Sequence, residues 1–264
     1  MFYTKNRLEN KFKYLIHFGV AQALCCIFPV AIFLSMAFSK VINIPHIPRY
    51  DFIFIVALLV QIAMVYFKLE TIDEVKVISL FHVIGLLLEI YKIHIGSWSY
   101  PEEAYLKIAG VPLYSGFMYS SIASYICQSW KRMNLRFLNW PSKWLMFLLS
   151  AVIYINFFTN HYIKDIRWFI IISLFFIFNK SYVAFKVKGE KMRIHLILSF
   201  FLIGFFIWIA ENISTFLGAW QYPHQSSGWN MVHTGKITSW FLLVIISIMI
   251  VVNLKQIKYK SVEE

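Results

Sequence analysis

Apolar residues run along this chain in long blocks, and short polar stretches separate them. Eight blocks stand out, at roughly 15–39, 51–68, 75–95, 111–130, 143–160, 166–186, 194–217 and 237–254. A helix that spans a bilayer needs about 18–20 predominantly apolar residues, and these blocks approach or exceed that length. The pattern therefore predicts an all-α fold: a polytopic membrane helix bundle of about eight transmembrane helices, forming a single integral membrane domain over residues 1–264. The polar stretch "NHYIKDIR" between the fifth and sixth blocks reads as a tight turn.

One short pattern occurs twice. "EIYKIHIGSWSYP" (Glu89–Pro101) closes the third block, and "ENISTFLGAWQYP" (Glu211–Pro223) closes the seventh. Glu, Gly, Trp, Tyr and Pro recur at the same spacing, 122 positions apart. Four spans in each half would leave both elements on the same side of the membrane. The expectation is two parallel four-helix repeats, approximately 1–135 and 136–264, related by a pseudo-two-fold axis along the membrane normal.

Composition agrees with the membrane assignment. Apolar residues make up 59% of the chain and charged residues 14%, whereas soluble domains carry about a quarter charged residues. The net charge of +12 does not point to nucleic acid, because Lys and Arg sit in short clusters between apolar blocks. Placing the N-terminus, the 68–76, 131–143 and 180–193 connections and the C-terminal tail on one side collects 18 of 25 basic residues there. By the positive-inside rule that side is the cytoplasm, so both termini are inside and both Glu-bearing elements face outward. The N-terminal basic residues Lys5, Arg7, Lys11 and Lys13 resemble a signal peptide, but the apolar run after them is too long for a signal core. It reads as an uncleaved first span. The 186–193 cluster and Lys255, Lys258 and Lys260 read as topology determinants and contacts for anionic lipid.

The glutamates are the candidate chemistry. Seven helical residues rise about 10.5 Å, so Glu89 lies under Gly96, and Glu211 under Gly218, on one helix face. The glycines permit a left-handed cap or a close approach, and Pro101 and Pro223 prevent the helix from continuing. Trp98, Tyr100, Trp220 and Tyr222 suit the interface, where amphipathic rings concentrate. An aromatic belt explains those rings but not the carboxylates, whose insertion costs about 2.5–3.5 kcal/mol each. Low dielectric disfavours two neighbouring ionised carboxylates, so a pair holding one proton can act as acid and base. The plainer alternative is that each Glu staples the halves together through backbone or Trp/Tyr donors.

Other groups belong to the same candidate site. His82 precedes Glu89 by seven residues and reads as a core histidine or as a relay toward it. His224 and His233 are nine apart, without the spacing of metal ligands. No metal and no cofactor is implied: no Gly-rich phosphate loop, His-Glu-x-x-His or Gly-x-Ser-x-Gly motif occurs. Cys25, Cys26 and Cys127 lie in apolar blocks and read as small buried hydrophobes. The triplets at Asn179 and Asn212 match the glycosylation pattern, but the first falls on the cytoplasmic side and the second within a span.

The stretch "LLEIYKIHIGSWSYPEEAYLKIAGVPLYSGFMYSSIASYI", with the second Glu-Gly-Trp-Tyr-Pro block, resembles the bacterial membrane family called domain of unknown function 817, the YoaT-like proteins. That resemblance covers essentially the whole length. It implies a multi-pass protein of the bacterial cell membrane and assigns no activity. A weaker, motif-like similarity links the same segments to membrane carotenoid cyclases and hydratases, and carries no catalytic residue across. Two functions follow as expectations. One is binding or transport of a small solute at a paired-glutamate site near the exterior. The other is an intramembrane enzyme acting on a lipid or isoprenoid by proton transfer, with aromatic side chains lining its tunnel. The lipid bilayer is the expected partner, and nucleic acid is not.

Overall fold

Where the first apolar block was expected to run as one helix, proline interrupts it. The computed structural model describes residues 2–263, with side chains described over 13–253, so Lys5, Arg7, Lys11, Lys255, Lys258 and Lys260 lie outside the described side chains. Helix α1 (Phe2–Cys25) ends and α2 (Ile27–Val41) begins around Cys26. Pro29 has no N–H to donate, and its ring displaces the carbonyl four residues back, at Cys25. Val30 resumes the ladder by donating to the Cys26 carbonyl at 2.9 Å.

The remaining blocks each contain a helix: α3 (Arg49–Tyr66), α4 (Ile72–His94), α5 (Tyr114–Met133), α6 (Lys143–Thr159), α7 (Arg167–Ile177), α8 (Leu196–Phe216) and α9 (Lys236–Glu263). The chain is mostly helical. Among the described residues four helices are long and apolar enough to cross a membrane: α3, α4, α8 and the Lys236–Asn253 part of α9. The broken α1–α2 pair makes up to five. Two local signals fix helix starts. Thr71 and Glu74 form a reciprocal capping box on α4, and the Ser142 hydroxyl accepts from the Leu145 N–H on α6.

The sixth block differs from its expected extent of 166–186. α7 stops at Ile177, and Tyr182–Val187 is strand β4, paired antiparallel with β5 (Glu190–His195). Hydropathy summed over a window hides the reason, which is alternation. Val183, Phe185 and Val187 are buried while Lys186 is exposed. Lys188 and Gly189 form the two-residue turn with φ of 49° and 85°, the left-handed pair that suits a tight hairpin. A short strand β3 (Arg136–Leu138) joins the far edge of β4. Thus two small sheets accompany the helices, the other being the ribbon of β1 (Lys107–Ile108) with β2 (Val111–Pro112).

Backbone contacts divide the chain into two compact units. One comprises Met1–Gln22, Ser129–Trp208 and Thr234–Glu264, and the other Ala23–Gln128 and Ile209–His233. In the first unit the hairpin packs through Phe185 against Phe18, with ring centroids 5.3 Å apart. There Asp165 knots the α6–α7 turn, accepting from Asn156 at 3.0 Å and from the Arg167 guanidinium at 2.5 Å. Burial pushes the Asp165 carboxyl up, but these donors outweigh it and hold its pKa below the usual 3.8. Both Glu-bearing elements belong to the second unit.

Candidate functional site

Helices α4 and α8 end in the same way. The Gly96 N–H donates to Ile93 and the Ser97 N–H to Lys92, while Gly218 donates to Thr215 and Ala219 to Ser214. Each pair of bonds closes the last turn around a glycine in the left-handed region, with φ of 71° and 74°. An Ala at either position is expected to lower stability by about 1 kcal/mol, since a Cβ disfavours that conformation. Thermal denaturation in detergent reads the effect. Gly218→Ala should cost more than Gly96→Ala, because a Cβ there meets Lys40 Nζ at 3.3 Å and Arg49 Nη1 at 3.4 Å, whereas Gly96 faces open space.

Beyond the caps the two loops pair with each other. Ser99 and Gln221 exchange both backbone hydrogen bonds, each 2.9 Å, in an antiparallel bridge. These residues are themselves 122 apart, so equivalent positions of the two elements meet face to face. Trp98 rests edge-on against Tyr222, with centroids 5.9 Å apart.

Both glutamates are buried, Glu89 to 3% and Glu211 to 4% relative exposure. Glu89 Oε2 accepts from Trp98 Nε1 at 2.6 Å and from the Tyr100 hydroxyl at 2.9 Å. Its Oε1 accepts from the Tyr119 hydroxyl at 2.8 Å. Tyr119 reaches that position because Gly85, one turn below Glu89, leaves room for its ring; a Cβ at Gly85 would lie 2.5 Å from it. Glu211 Oε1 accepts from the Tyr222 hydroxyl. Each Glu thus bonds the Tyr eleven residues later, Tyr100 or Tyr222. Burial, then the charge of Glu89, raises the Tyr100 phenol well above 10. Burial and then Glu211 do the same for Tyr222, with Glu89 adding to the effect and a hydrogen bond with Trp220 opposing it. Both phenols therefore stay protonated and act as donors near neutral pH.

Around this centre lies a frame that the sequence did not advertise. Arg49, at the first residue of α3, bonds Glu102 Oε1 at 2.6 Å, the Leu217 carbonyl at 2.5 Å and the Gly218 carbonyl at 3.1 Å. It also reaches the Met36 carbonyl at 3.3 Å and the Ser39 hydroxyl at 3.2 Å. One guanidinium therefore holds the orphan carbonyls that close α8 and ties them to the last turns of α2. The Tyr114 hydroxyl donates to the Ala219 carbonyl. Buried Asp51 accepts from the Tyr105 and Leu106 N–H groups at 2.7 and 2.9 Å and so anchors the loop after Pro101. Lys107 donates to the Tyr100 and Glu102 carbonyls. In the sequence Arg49, Tyr50 and Asp51 mark only the edge of an apolar block. Three polar groups in a row at a helix start were the available signal.

The histidines divide. His82 packs edge-on against Phe117, with centroids 4.6 Å apart, and its buried Nδ1 has no hydrogen-bond partner. Its ring sits beside Gly116, within the α4–α5 crossing. His224 is exposed in the 3-10 turn Pro223–Gln225 and stacks on Tyr222. His233 is exposed at the end of the same loop. Pro101 is also exposed, and Pro223 opens that turn. Asn212, in one of the glycosylation-like triplets, uses its side-chain oxygen to accept from the Val232 N–H at 2.9 Å. Among the described residues no group of three or more His, Cys, Asp or Glu could hold a metal ion.

Another buried carboxylate stands at the opposite end of α4 from Glu89. Glu70, 2% exposed, accepts from Gln61 Nε2 and Ser124 Oγ, each at 2.5 Å. Nothing in the apolar pattern singled it out, because Glu70 sits in the loop between α3 and α4.

No solved structure matches this chain. The chain is 55% identical over 249 residues to the "Uncharacterized protein YoaT" of Bacillus subtilis (strain 168), covering 94% of each chain. The family described as "Protein of unknown function (DUF817)" matches residues 14–248, and with most of its length accounted for in this way the chain belongs to that family.

Proposed function

We propose that this chain is a multi-pass membrane protein, built by duplication, whose paired glutamates bind and carry a small cationic solute in exchange for protons. The observation that carries this reading is the placement of Glu89 and Glu211. They are buried carboxylates at equivalent positions, each bonded to the Tyr of its own element, and the two elements pair at Ser99 and Gln221. Ionisable groups at membrane depth are costly and are retained chiefly where they handle ions, protons or substrate. The surrounding Trp98, Tyr100, Tyr119 and Tyr222 offer ring faces to a cation and hydroxyls that can donate to the carboxylates or accept from a ligand.

The Ser99–Gln221 bridge supports duplication, because an antiparallel pair of equivalent residues implies a local two-fold axis. It also supports placing both elements on one side, which requires an even number of crossings between them. Eight crossings in all, with α5 to α8 between the elements, satisfy that condition. So do six, with α6 and α7 forming a hairpin that does not cross, since eleven residues of α7 span only about 16 Å. Cysteine labelling distinguishes these arrangements in a background with Cys25, Cys26 and Cys127 replaced by Ala. Thiols placed in 101–110 and 223–235 are expected to react from outside, and those in 131–142 and 186–193 only after permeabilisation. A thiol at Lys164 should react from outside if α6 and α7 cross. The reverse pattern at the Glu-bearing loops defeats the orientation.

Transport is tested in proteoliposomes with trapped pyranine. Choline, methylammonium or spermidine added outside should drive proton release from the lumen. The absence of both proton movement and uptake across this set would count against the carrier. A lipid or pigment altered only in cells that make the protein would point instead to the intramembrane enzyme.

A further inference from the structure

We propose that the exposed face of the β3–β4–β5 sheet is a binding site for anionic lipid headgroups. The inference rests on the membrane reading of the helices but not on the glutamate site. Strand register places four cations on one face. Arg136 and Arg193 are each paired with Ala184 from its two sides, and Lys186 lies directly opposite Lys191. Side chains alternate along a strand, so Ala184 and Lys186 share a face, while Val183, Phe185 and Val187 point the other way and are buried.

All four basic residues are exposed, and none forms an ion pair among the described residues. Glu190 pairs with Val187 and so belongs to the opposite face. Lys188 adds a further charge at the turn. Like charges directly opposite one another destabilise a sheet. Guarding a sheet edge requires charge of either sign, not a single sign on one face. A row of paired cations is stable when a polyanionic surface lies against it.

The position of the sheet identifies that surface. β5 ends at His195 and the apolar helix α8 begins at the next residue, while apolar α7 ends at Ile177 just before β4. Leu138, Tyr182 and His195 form the root row of the sheet. The arginine row is two residues further out, at most about 7 Å, and the lysine row about 13 Å. The polar headgroup layer extends about 5–7 Å beyond the hydrocarbon on each side, and screening reaches about 8–10 Å further. Even a sheet standing straight off the helix ends keeps these cations within reach of lipid phosphates. Arg193 is further oriented by its position over the Tyr182 ring, 5.3 Å from the centroid.

The test uses the full chain in a neutral detergent, titrated with phosphatidylglycerol or phosphatidylcholine while Tm is followed. Phosphatidylglycerol should raise Tm by several degrees, less so at high salt, and phosphatidylcholine should not. The Lys186→Gln, Lys191→Gln, Arg193→Gln variant should have a Tm without lipid equal to or above wild type, since the repulsion is gone, and should lose the phosphatidylglycerol response. Lys186→Arg with Lys191→Arg should keep it. An equal response to both lipids, or an undiminished response in the triple variant, overturns the proposal. Alkaline carbonate extraction tests the membrane reading separately. Release of the wild-type chain defeats that reading, whereas retention without a phosphatidylglycerol response defeats only the lipid site.

Discussion

The Glu89→Gln, Glu211→Gln double variant is expected to insert and fold like the wild type and to lose solute-driven proton release by about a hundredfold. Folding survives because an amide can satisfy the same donors. Trp98 has only an N–H to give, so in Glu89→Gln the amide carbonyl oxygen must take the Oε2 position and accept from Trp98 and Tyr100. The amide nitrogen then faces Tyr119, whose hydroxyl rotates from donor to acceptor. Function is lost because an amide neither binds a proton at neutral pH nor attracts a cation. Hydrogen bonds to charged groups contribute about 1.5–3 kcal/mol, and a total near 3 kcal/mol is about a hundredfold in affinity. Proteoliposome assays and Tm on the same preparations separate the two effects. Wild-type transport by the double variant would reduce the glutamates to a staple. Glu89→Leu is the contrasting control, since it leaves the Trp98 N–H and two hydroxyls without their acceptor and should cost several kcal/mol of stability.

The largest loss of stability is expected at Arg49. Arg49→Met keeps the length of the side chain and removes every donor. It removes the guanidinium donor from the Leu217 carbonyl, leaves the Gly218 carbonyl only the long contact with the Tyr50 hydroxyl at 3.5 Å, and leaves Glu102 without its cation. The Arg49 side chain is 11% exposed, so water cannot easily replace it. Removing one partner from such a buried arrangement costs about 3–5 kcal/mol. For a chain of this size that corresponds to roughly 10 °C in Tm. Arg49→Lys should recover only part of it, because one ammonium cannot span two helix ends as the guanidinium fork does. Glu102→Gln should cost less, since the Glu102 side chain is 35% exposed. A Tm for Arg49→Met within about two degrees of wild type would show that the helix ends are held by other contacts.

Much of this architecture was legible along the chain, and the parts that were not share a cause. Hydropathy located a helix in every apolar block, because each residue in a span must be tolerable to lipid or to its neighbours one at a time. The Glu-Gly-Trp-Tyr-Pro repetition located the two helix ends and their caps, because a left-handed glycine and a helix-stopping proline act within a few residues. The sixth block misled for the same local reason: a window that sums hydropathy does not distinguish the alternation of β4 from the run of a helix.

What the sequence alone determined, then, was the set of local features: apolar helices, their caps, and two carboxylates at matching positions within apolar blocks. Tertiary structure decided which donors satisfy those carboxylates. Tyr119 comes to Glu89 from 30 positions away through the notch at Gly85, and Arg49 reaches Gly218 across 169. Hydrogen bonds of that kind depend on how helices cross, and the crossing depends on the summed packing of many side chains. No period, spacing or motif along one dimension records that sum, so Arg49, Asp51 and Tyr119 became visible only once the chain was folded around them.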